Sequence, residues 1–290
     1  MAYTARTRIR EVNEDPVFRG VGASIFPRDS WHVQGDTLGT LDLAWYSCIR
    51  PEMTVEICNY LHDEALLGRT IFYPIYSTEE MVEDPDKRGC GLFFRGKAGA
   101  PTAVCCAGGG FAYVAAIHDA MPHALTLSER GINAFALIYR PGAQTACEDL
   151  SRALAFLFGH AGGLGISVEG YSLWGGSAGA RMAAWVGSLG TAAFGEKALP
   201  RPAAVIMQYT GYSEVRTTDP ATYSCVGTQD GIANWRTMDR RMKALRKLGT
   251  PAEIEVFPGL HHGFGLGTGT VAEGWLDRAC DFWLQQRGRL

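Results

Sequence analysis

Short apolar runs alternate with segments of helical periodicity from about residue 70 onward. Several runs, such as AFALIY and AAVIMQY, are continuously apolar, as strands covered on both faces of a parallel sheet are. The candidate strands are 70–76, 91–95, 102–106, 132–139, 171–174, 203–209, 222–227 and 252–257. The candidate helices lie near 119–130, 146–159, 178–189, 234–248 and 271–286. This alternation predicts an α/β fold with a doubly wound, mostly parallel sheet and helices on both faces.

The segment before residue 70 is less regular, so we expect an N-terminal extension, 1–69, and a main domain, 70–290. An amphipathic helix is predicted before Gly68 from the apolar residues Met53, Val55, Ile57, Leu61, Leu66 and Leu67. We expect the extension to pack on the core; a lid over the site is the alternative. The first two strands of the main domain have no helical pattern between them, which predicts an antiparallel edge hairpin around STEEMVEDPDKRG.

Composition narrows the class of protein. With 290 residues, 47% of them apolar, the chain is long enough to bury one substantial core. Charged residues make up 20%, the net charge is −3 and no block of like charge stands out, so neither a nucleic acid nor a membrane is expected as a partner. The polar start and the lack of a long apolar run predict a cytoplasmic protein. The eight cysteines include no C-x-x-C pair and are expected to be reduced, mostly buried thiols, with no metal site.

The strongest local motif is G-x-S-x-G at 175–179, with Ser177 at its centre. An apolar run leads into it, and a small-residue helical pattern, ARMAAWVGS, follows. A nucleophile elbow needs this context, because the serine sits on a tight strand-to-helix turn and only small residues fit two positions either side of it. The context therefore predicts Ser177 as a nucleophile. In a chain with 36 glycines, a turn with a solvated serine is the alternative.

A glycine loop, Gly108 to Gly110, follows the strand at 102–106. Glycine lets backbone N–H groups approach a developing oxyanion closely, and the residue after the nucleophile gives another donor. The candidate oxyanion-hole donors are therefore the amides of Gly109, Gly110 and Ala178. A phosphate-binding loop is the alternative, but no Lys-Ser/Thr follows and the spacing is not G-x-G-x-x-G.

A serine nucleophile needs a base and an orienting carboxylate, which follow it in the order acid, then histidine, in an elbow-type hydrolase. The only histidines after Ser177 are His261 and His262, in the loop after the last strand, so the base is one of these two. Asp230 follows the strand at 222–227 and is the predicted acid, with a plain Asp-Gly turn as the alternative. Two other acids fit less well: Asp219 precedes that strand, and Asp239 lies in a helical pattern.

The five histidines that precede the nucleophile are expected to be structural or solvated. They are His32, His62, His118, His123 and His160. His118 and His123 follow the glycine loop, so a place at the site entrance is the alternative for these two.

On these motifs the chain resembles the bacterial esterases and lipases of the α/β-hydrolase superfamily, the acetyl-esterase and acetylxylan-esterase-like enzymes. The resemblance covers about 70–287 and rests on AGGGF, the Tyr-Arg-Pro at 139–141, WGGSAGARMAA, GTQDG and HHGFGLG. It implies the α/β-hydrolase fold and assigns the catalytic histidine to His262, the one before Gly-Phe. Many relatives carry His or Pro where this chain has Ala107, but the oxyanion hole should survive because its donors are backbone groups.

The predicted function is hydrolysis of short-chain carboxylic esters, including acetylated sugars, by Ser177, Asp230 and His262 through an acyl-enzyme. The expected partner is a small-molecule ester, with no metal or organic cofactor. Aromatic residues near the expected site are predicted to bind substrate, with packing in the core as the alternative; they are Phe111, Tyr113, Trp174 and Tyr209. Amide or peptide hydrolysis on the same residues, as in an arylformamidase, is a second hypothesis. A hydrolase-fold binding protein without activity is a third. The sequence makes no prediction of oligomeric state.

Overall fold

A central sheet of eight strands dominates the computed structural model, which describes residues 3–27, 29 and 31–289. Its strands are β3 (Phe72–Pro74), β4 (Gly91–Arg95), β5 (Pro101–Cys106), β6 (Asn133–Ile138), β7 (Ser167–Gly176), β8 (Ala204–Gln208), β9 (Ala221–Gly227) and β10 (Ala252–Phe257). The spatial order is β10-β9-β8-β7-β5-β6-β4-β3. All pairs from β10 to β6 are parallel, and β4 and β3 complete the sheet antiparallel. A separate antiparallel pair, β1 (Val33–Gln34) and β2 (Asp42–Leu43), lies in the N-terminal extension.

Helices cover both faces of this sheet. They are α1 (Ile9–Asn13), α2 (Pro51–Leu66), α3 (Thr78–Glu83), α4 (Ala116–Asp119), α5 (Met121–Glu129), α6 (Ala143–Leu164), α7 (Ala178–Leu189), α8 (Trp235–Lys247) and α9 (Trp275–Arg287). Buried residues of α6 and α7 form one core with one set of strand side chains, and those of α2, α5 and α9 form the other. The neighbours Cys105 and Cys106 fall in different cores, as the alternation of side chains along a strand requires. The predicted doubly wound α/β architecture is confirmed.

The edge hairpin is confirmed in its pairing and wrong in its connection. β3 and β4 pair antiparallel, with Phe72 opposite Phe93. The connection, however, contains the short helix α3 and a 3₁₀ turn. α3 begins with a capping box, in which Ser77 and Glu80 each accept a hydrogen bond from the other's backbone amide. Its six residues have no buried member, so no apolar period marks it in the sequence.

The N-terminal extension packs on the main domain. The predicted helix is α2, whose Ile57 and Leu61 are buried. Leu66 and Leu67, assigned to its apolar face, are 63% and 67% exposed, so that part of the prediction is wrong. Val12, Phe18 and Ile25 share a core with sheet residues such as Cys105 and Trp174. The segment therefore shares its buried surface with the main domain, and a boundary at residue 69 remains a proposal.

The cysteines are free thiols, and all except Cys48 are buried. Burial raises the pKa of Cys58 and Cys147 to about 12, which keeps these two thiols protonated at neutral pH. Across the described residues, no helix combines the length and apolar character needed to cross a membrane.

The sheet also fixes where a site can form. β5 pairs with β6 on one side and with β7 on the other, so the connections leaving β5 and β6 run in opposite directions across the sheet. In open parallel sheets, ligands bind at such a switch point, outside the carboxyl ends of the strands. The glycine loop follows β5, the segment around Ser177 follows β7, and the loops carrying Asp230 and His262 follow β9 and β10.

Candidate active site

Ser177 lies on a strained turn between β7 and α7. Its φ of 52° and ψ of −116° put a residue other than glycine in a region that is costly for an L-amino acid. Its amide donates to the Gln208 carbonyl at 3.0 Å, which holds the turn against β8. A side chain at Gly175 would collide with the backbone of Gly179, and one at Gly179 with the Cys106 carbonyl. This crowding explains both glycines of the motif.

His262 connects Asp230 to Ser177. Its Nδ1 lies 2.8 Å from Asp230 Oδ2, and its Nε2 lies 3.0 Å from Ser177 Oγ. The Asp230 side chain is fully buried, and its Oδ1 accepts the amides of Ile232 and Ala233 at 2.8 and 2.7 Å. The carboxylate is thus locked in place by its own loop. The structure brings together all three residues predicted as nucleophile, base and acid.

The partners of His262 fix which ring nitrogen carries the proton. A carboxylate oxygen can only accept, so Nδ1 donates to Asp230. In the neutral imidazole, Nε2 is then the acceptor and faces the Ser177 hydroxyl. This is the tautomer that a histidine needs in order to take a proton from serine.

The two adjacent histidines have different surroundings. His261 is exposed, whereas His262 is buried and its ring lies 5.0 Å from that of Tyr209. Gly263 follows with a φ of 72°, and Phe264 is buried against Tyr209 and Phe257. The turn after His262 is thus anchored in the apolar interior by Phe264. Only His262 is bonded to Ser177 and Asp230.

The N-terminal extension is hydrogen-bonded to the histidine loop, the segment 258–267 that follows β10 and carries His262. Ser47 Oγ donates to the His262 carbonyl at 2.6 Å, and the Ser47 amide donates to the Gly263 carbonyl at 3.2 Å. His118 Nε2 contacts the same Gly263 carbonyl at 3.1 Å. Burial lowers the pKa of His118, which favours a neutral ring that donates this bond. Sequence analysis missed Ser47, because nothing in an irregular segment connects it to a loop 215 residues away.

The glycine loop lies beside the reactive serine. A side chain built on Gly108 would come within 2.8 Å of Ser177 Cβ, so the two backbones are in close contact. Gly109 and Gly110 have φ values of 120° and 62°, a backbone that residues with a Cβ rarely adopt. Within the described part of the chain, no group accepts a hydrogen bond from the amides of Gly109 or Gly110. Ala178 is the first residue of α7, where helix amides are unpaired by geometry.

A buried aspartate beneath this loop was not predicted. Asp119 is 2% exposed and accepts the Gly108 amide at 2.8 Å, the Tyr46 hydroxyl at 2.9 Å and the Tyr209 hydroxyl. Any side chain at Gly176, the residue before the nucleophile, would collide with this carboxylate. Asp119 thus ties the glycine loop to the elbow and to the tyrosine beside His262. The sequence offered one weak signal, an acidic residue within an otherwise apolar segment after the glycine loop.

The two tyrosines that contact Asp119 remain protonated donors. Burial, reinforced by the nearby Asp119 carboxylate, raises the pKa of Tyr46 and of Tyr209 well above the ordinary value. Each hydroxyl therefore carries its proton throughout the physiological range and donates it to Asp119.

The four aromatic residues predicted to bind substrate lie in different places. Trp174 is 2% exposed, donates to Ser172 and packs on Trp275 and Trp283, so its assignment to the substrate pocket is wrong. Its side chain leaves β7 on the face covered by α9, which the sequence pattern could not show. Tyr209 is also fully buried, and its ring packs against that of His262.

The other two aromatic residues flank the glycine loop. Phe111 is half-buried and stacks on Trp185 at 6.1 Å. Tyr113 is almost fully buried, and its hydroxyl donates to the Ala44 carbonyl at 2.6 Å. Both stay next to the predicted site, and their contact with substrate remains a proposal.

Of the histidines that precede Ser177, two were candidates for the entrance. His123 is not there: it is buried beside Trp275, and burial lowers its pKa to about 4. His118 is half-buried and holds the histidine loop, as described above. The structural or solvated roles expected for the others fit their positions: His62 packs on Tyr3 and Phe18, and His160 is exposed.

A cavity of about 600 Å³ lies beside the residues that follow the glycine loop. It is lined by Phe26, Tyr113, Val114, Tyr139 and Arg140, among others, and not by Ser177 or His262. Arg140 is neutralised there by Asp149 and Asp84 at 2.7 and 2.8 Å. The cavity is therefore distinct from the site around Ser177. The arginine in its wall is already paired with two carboxylates.

Comparison with solved structures identifies the fold. An acetyl ester-xyloside bifunctional hydrolase from Caldicellulosiruptor lactoaceticus superposes with a TM-score of 0.64 at 22% identity, over 75% of this chain and 96% of that one. A thermophilic esterase from Thermogutta terrifontis, Est2, gives 0.63 at 19% identity, over 74% and 93%. An α/β hydrolase from a Medee basin deep-sea metagenome library, MGS-M1, gives 0.60 at 21%, over 69% and 94%.

These similarities establish that the chain has the α/β-hydrolase fold, as the sequence resemblance implied. No protein-family model matches the chain. No curated relative matches it either.

Proposed function

We propose that this protein is a serine hydrolase that cleaves small carboxylic esters through an acyl-enzyme. Ser177 attacks the ester carbonyl while His262 Nε2 takes the hydroxyl proton. The same imidazolium then returns that proton to the departing alcohol. Water, activated by His262, releases the acid and restores Ser177. Asp230 holds His262 in the required tautomer and stabilises the imidazolium formed at each step.

The observation that carries this proposal is the hydrogen-bonded line Asp230–His262–Ser177 beside two unpaired loop amides. Each of the three side chains is positioned by its own loop. The Ser177 backbone has an unfavourable conformation, and such strain is concentrated at functional sites. The amides of Gly109, Gly110 and Ala178 are proposed as donors to the oxyanion. Removal of one such donor typically costs about 10²–10³-fold in kcat.

Ester hydrolysis is favoured over amide hydrolysis by the solved relatives of this fold. These relatives include an acetyl ester-xyloside hydrolase and a Thermogutta esterase with propionate or butyrate bound. We propose short acyl esters, including acetylated sugars, as the substrate class. The proposed steps use only side chains, backbone amides and water, and the proposed partner is the ester itself. The free thiols fit a reducing compartment, and we propose the cytoplasm.

A panel of 4-nitrophenyl esters tests the substrate class. We expect kcat/KM to be highest for acyl chains of about two to four carbons, because Phe111 and Tyr113 lie against the glycine loop. Initial rates for acetyl, butyryl and octanoyl esters, measured below the micelle concentration, give the comparison. A higher kcat/KM for octanoyl than for acetyl ester would contradict the short-chain proposal. Absence of hydrolysis across the panel, with turnover of an aryl formamide, would favour the amide alternative.

Asp119 is proposed as a positioning residue, and Asp119→Asn tests this. The amide has one acceptor oxygen, and its NH₂ group would face hydroxyl or amide donors that now point at a carboxylate. We expect the free energy of unfolding to fall by about 2–4 kcal/mol, measured by urea denaturation. kcat should fall about tenfold with KM little changed, because the glycine loop loses its anchor.

The matched control is Asp239→Asn. Asp239 lies on α8 with its side chain 23% exposed and pairs with the exposed Lys243, so this variant should change stability by about 0.5 kcal/mol or less. Equal small effects of the two substitutions would contradict the positioning role of Asp119.

A further inference from the structure

Trp45 crosses the space between the two loops that flank Ser177. Its backbone contacts the histidine loop, since a side chain built on Gly263 would come within 3.0 Å of the Trp45 carbonyl oxygen. Its ring contacts the glycine loop, since a side chain built on Gly110 would come within 2.8 Å of the indole. Trp45 therefore adjoins the residue after His262 through its carbonyl group and a proposed oxyanion donor through its indole. Trp45 thus lies next to both loops that flank the reactive serine.

The conformation of Trp45 is unusual for a bulky residue. Its φ of 72° lies in the left-handed region, which is unfavourable outside glycine and is found mainly where the surrounding structure enforces it. The ring nevertheless stays 45% exposed. It is backed by His32 at 4.9 Å and Tyr113 at 5.9 Å, and those two rings stack on each other at 5.3 Å. The Trp45 indole is thus packed on one side by His32 and Tyr113 and remains partly exposed to solvent.

The position of His262 indicates which half of an ester lies near the Trp45 indole. His262 Nε2 must reach the oxygen of the departing alcohol to protonate it. The alcohol half therefore lies on the histidine side of Ser177, and the acyl half lies away from it. The Trp45 backbone adjoins Gly263, the residue after His262, so this tryptophan lies next to the loop that carries the base.

We propose that Trp45 forms a binding subsite for the alcohol half of the substrate and selects alcohols that present a flat ring face, an aryl or a sugar ring. This inference rests on the proposed ester hydrolysis and specifies the class of alcohol that is released. Tryptophan contributes through its large apolar area and its π-face, both of which favour a ring laid against it. His32 and Tyr113 pack against the indole and fix its orientation.

The test compares acetates that share one acyl group and differ in their alcohol: phenyl acetate, an acetylated xylopyranoside and ethyl acetate. kcat/KM is measured by acetate release for the wild type, Trp45→Ala and Trp45→Phe. We expect Trp45→Ala to lower kcat/KM about tenfold for a ring-bearing acetate, equivalent to about 1.4 kcal/mol, and no more than about twofold for ethyl acetate. Trp45→Phe should keep part of the ring preference. The two ring-bearing arms show whether the subsite takes aryl or sugar rings.

Because the acyl-enzyme is shared, comparing the acylation and deacylation rates distinguishes a leaving-group subsite from a purely structural role of Trp45. All three acetates form the same acetyl-Ser177, so a leaving-group subsite changes acylation, reported by kcat/KM, and spares the rate at which the acetyl-enzyme hydrolyses. Trp31, which is 89% exposed, gives the control Trp31→Ala, expected to match the wild type on every substrate.

Equal losses on all three acetates, or a slowed deacylation step, would show that Trp45 only supports the loops and would overturn the inference. Unchanged kinetics in Trp45→Ala would overturn it too. A wild-type protein that hydrolyses none of the three acetates would contradict the proposed function itself, and the inference with it.

Discussion

Ser177→Ala lowers kcat for ester hydrolysis by about 10⁴–10⁶-fold and leaves the protein folded, if the proposed mechanism holds. Among the residues that the structure describes, the Ser177 hydroxyl is the group bonded to His262 Nε2, so its loss removes the acyl-enzyme route altogether. Alanine fits the half-buried position, and the turn keeps its backbone bond to Gln208. kcat is measured on 4-nitrophenyl acetate, with circular dichroism and thermal melting on the same preparation.

The matched control is Ser128→Ala at the end of α5. There the hydroxyl donates to the Leu125 carbonyl. The residue lies just before the start of β6, at the end of the sheet opposite the site. Activity should stay near the wild-type value. More than a few per cent of activity in folded Ser177→Ala would show that another group is the nucleophile.

His262→Ala is expected to lower kcat by about 10³-fold or more, and His261→Ala by tenfold or less. His262 is bonded to Ser177 and Asp230, whereas its neighbour is exposed and lies outside that line. The two variants remove the same side chain from adjacent positions, so each is the control for the other. kcat on an activated acetyl ester gives the comparison.

The reverse order of effects would overturn the assignment of the base while keeping the serine nucleophile. A comparable collapse in both variants, with folding preserved, would show that the histidine loop acts as a unit. The bonds from Ser47 to the His262 and Gly263 backbone give the physical reason to test that outcome with Ser47→Ala.

The sequence predicted those strands and site residues that are marked by a local sequence pattern. Continuously apolar runs marked β5, β6 and β8, because strands buried on both faces need no polar alternation. The G-x-S-x-G pattern marked the elbow, since crowding at Gly175 and Gly179 excludes larger residues. Chain order then placed Asp230 and one of two histidines after Ser177, on loops that the parallel sheet brings to one edge.

What the sequence could not predict depends on contacts between distant segments. Asp119 lies 73 residues from Tyr46 and 90 from Tyr209, and no local pattern connects the three. Trp45 and Ser47 belong to an extension without regular periodicity, yet they contact the histidine loop. Trp174 was misplaced because one residue of register decides which face of β7 a side chain occupies.

The central claim is that Ser177 is the nucleophile, and covalent labelling with paraoxon tests it most directly. The serine oxygen should displace 4-nitrophenolate from phosphorus and keep a diethylphosphoryl group, with one equivalent of nitrophenolate released per chain. Peptide mass spectrometry should place that group on Ser177 alone, with esterase activity lost in proportion, and the Ser177→Ala protein should release no burst. A label on another residue, or full esterase activity in protein that is completely labelled at Ser177, would contradict the account.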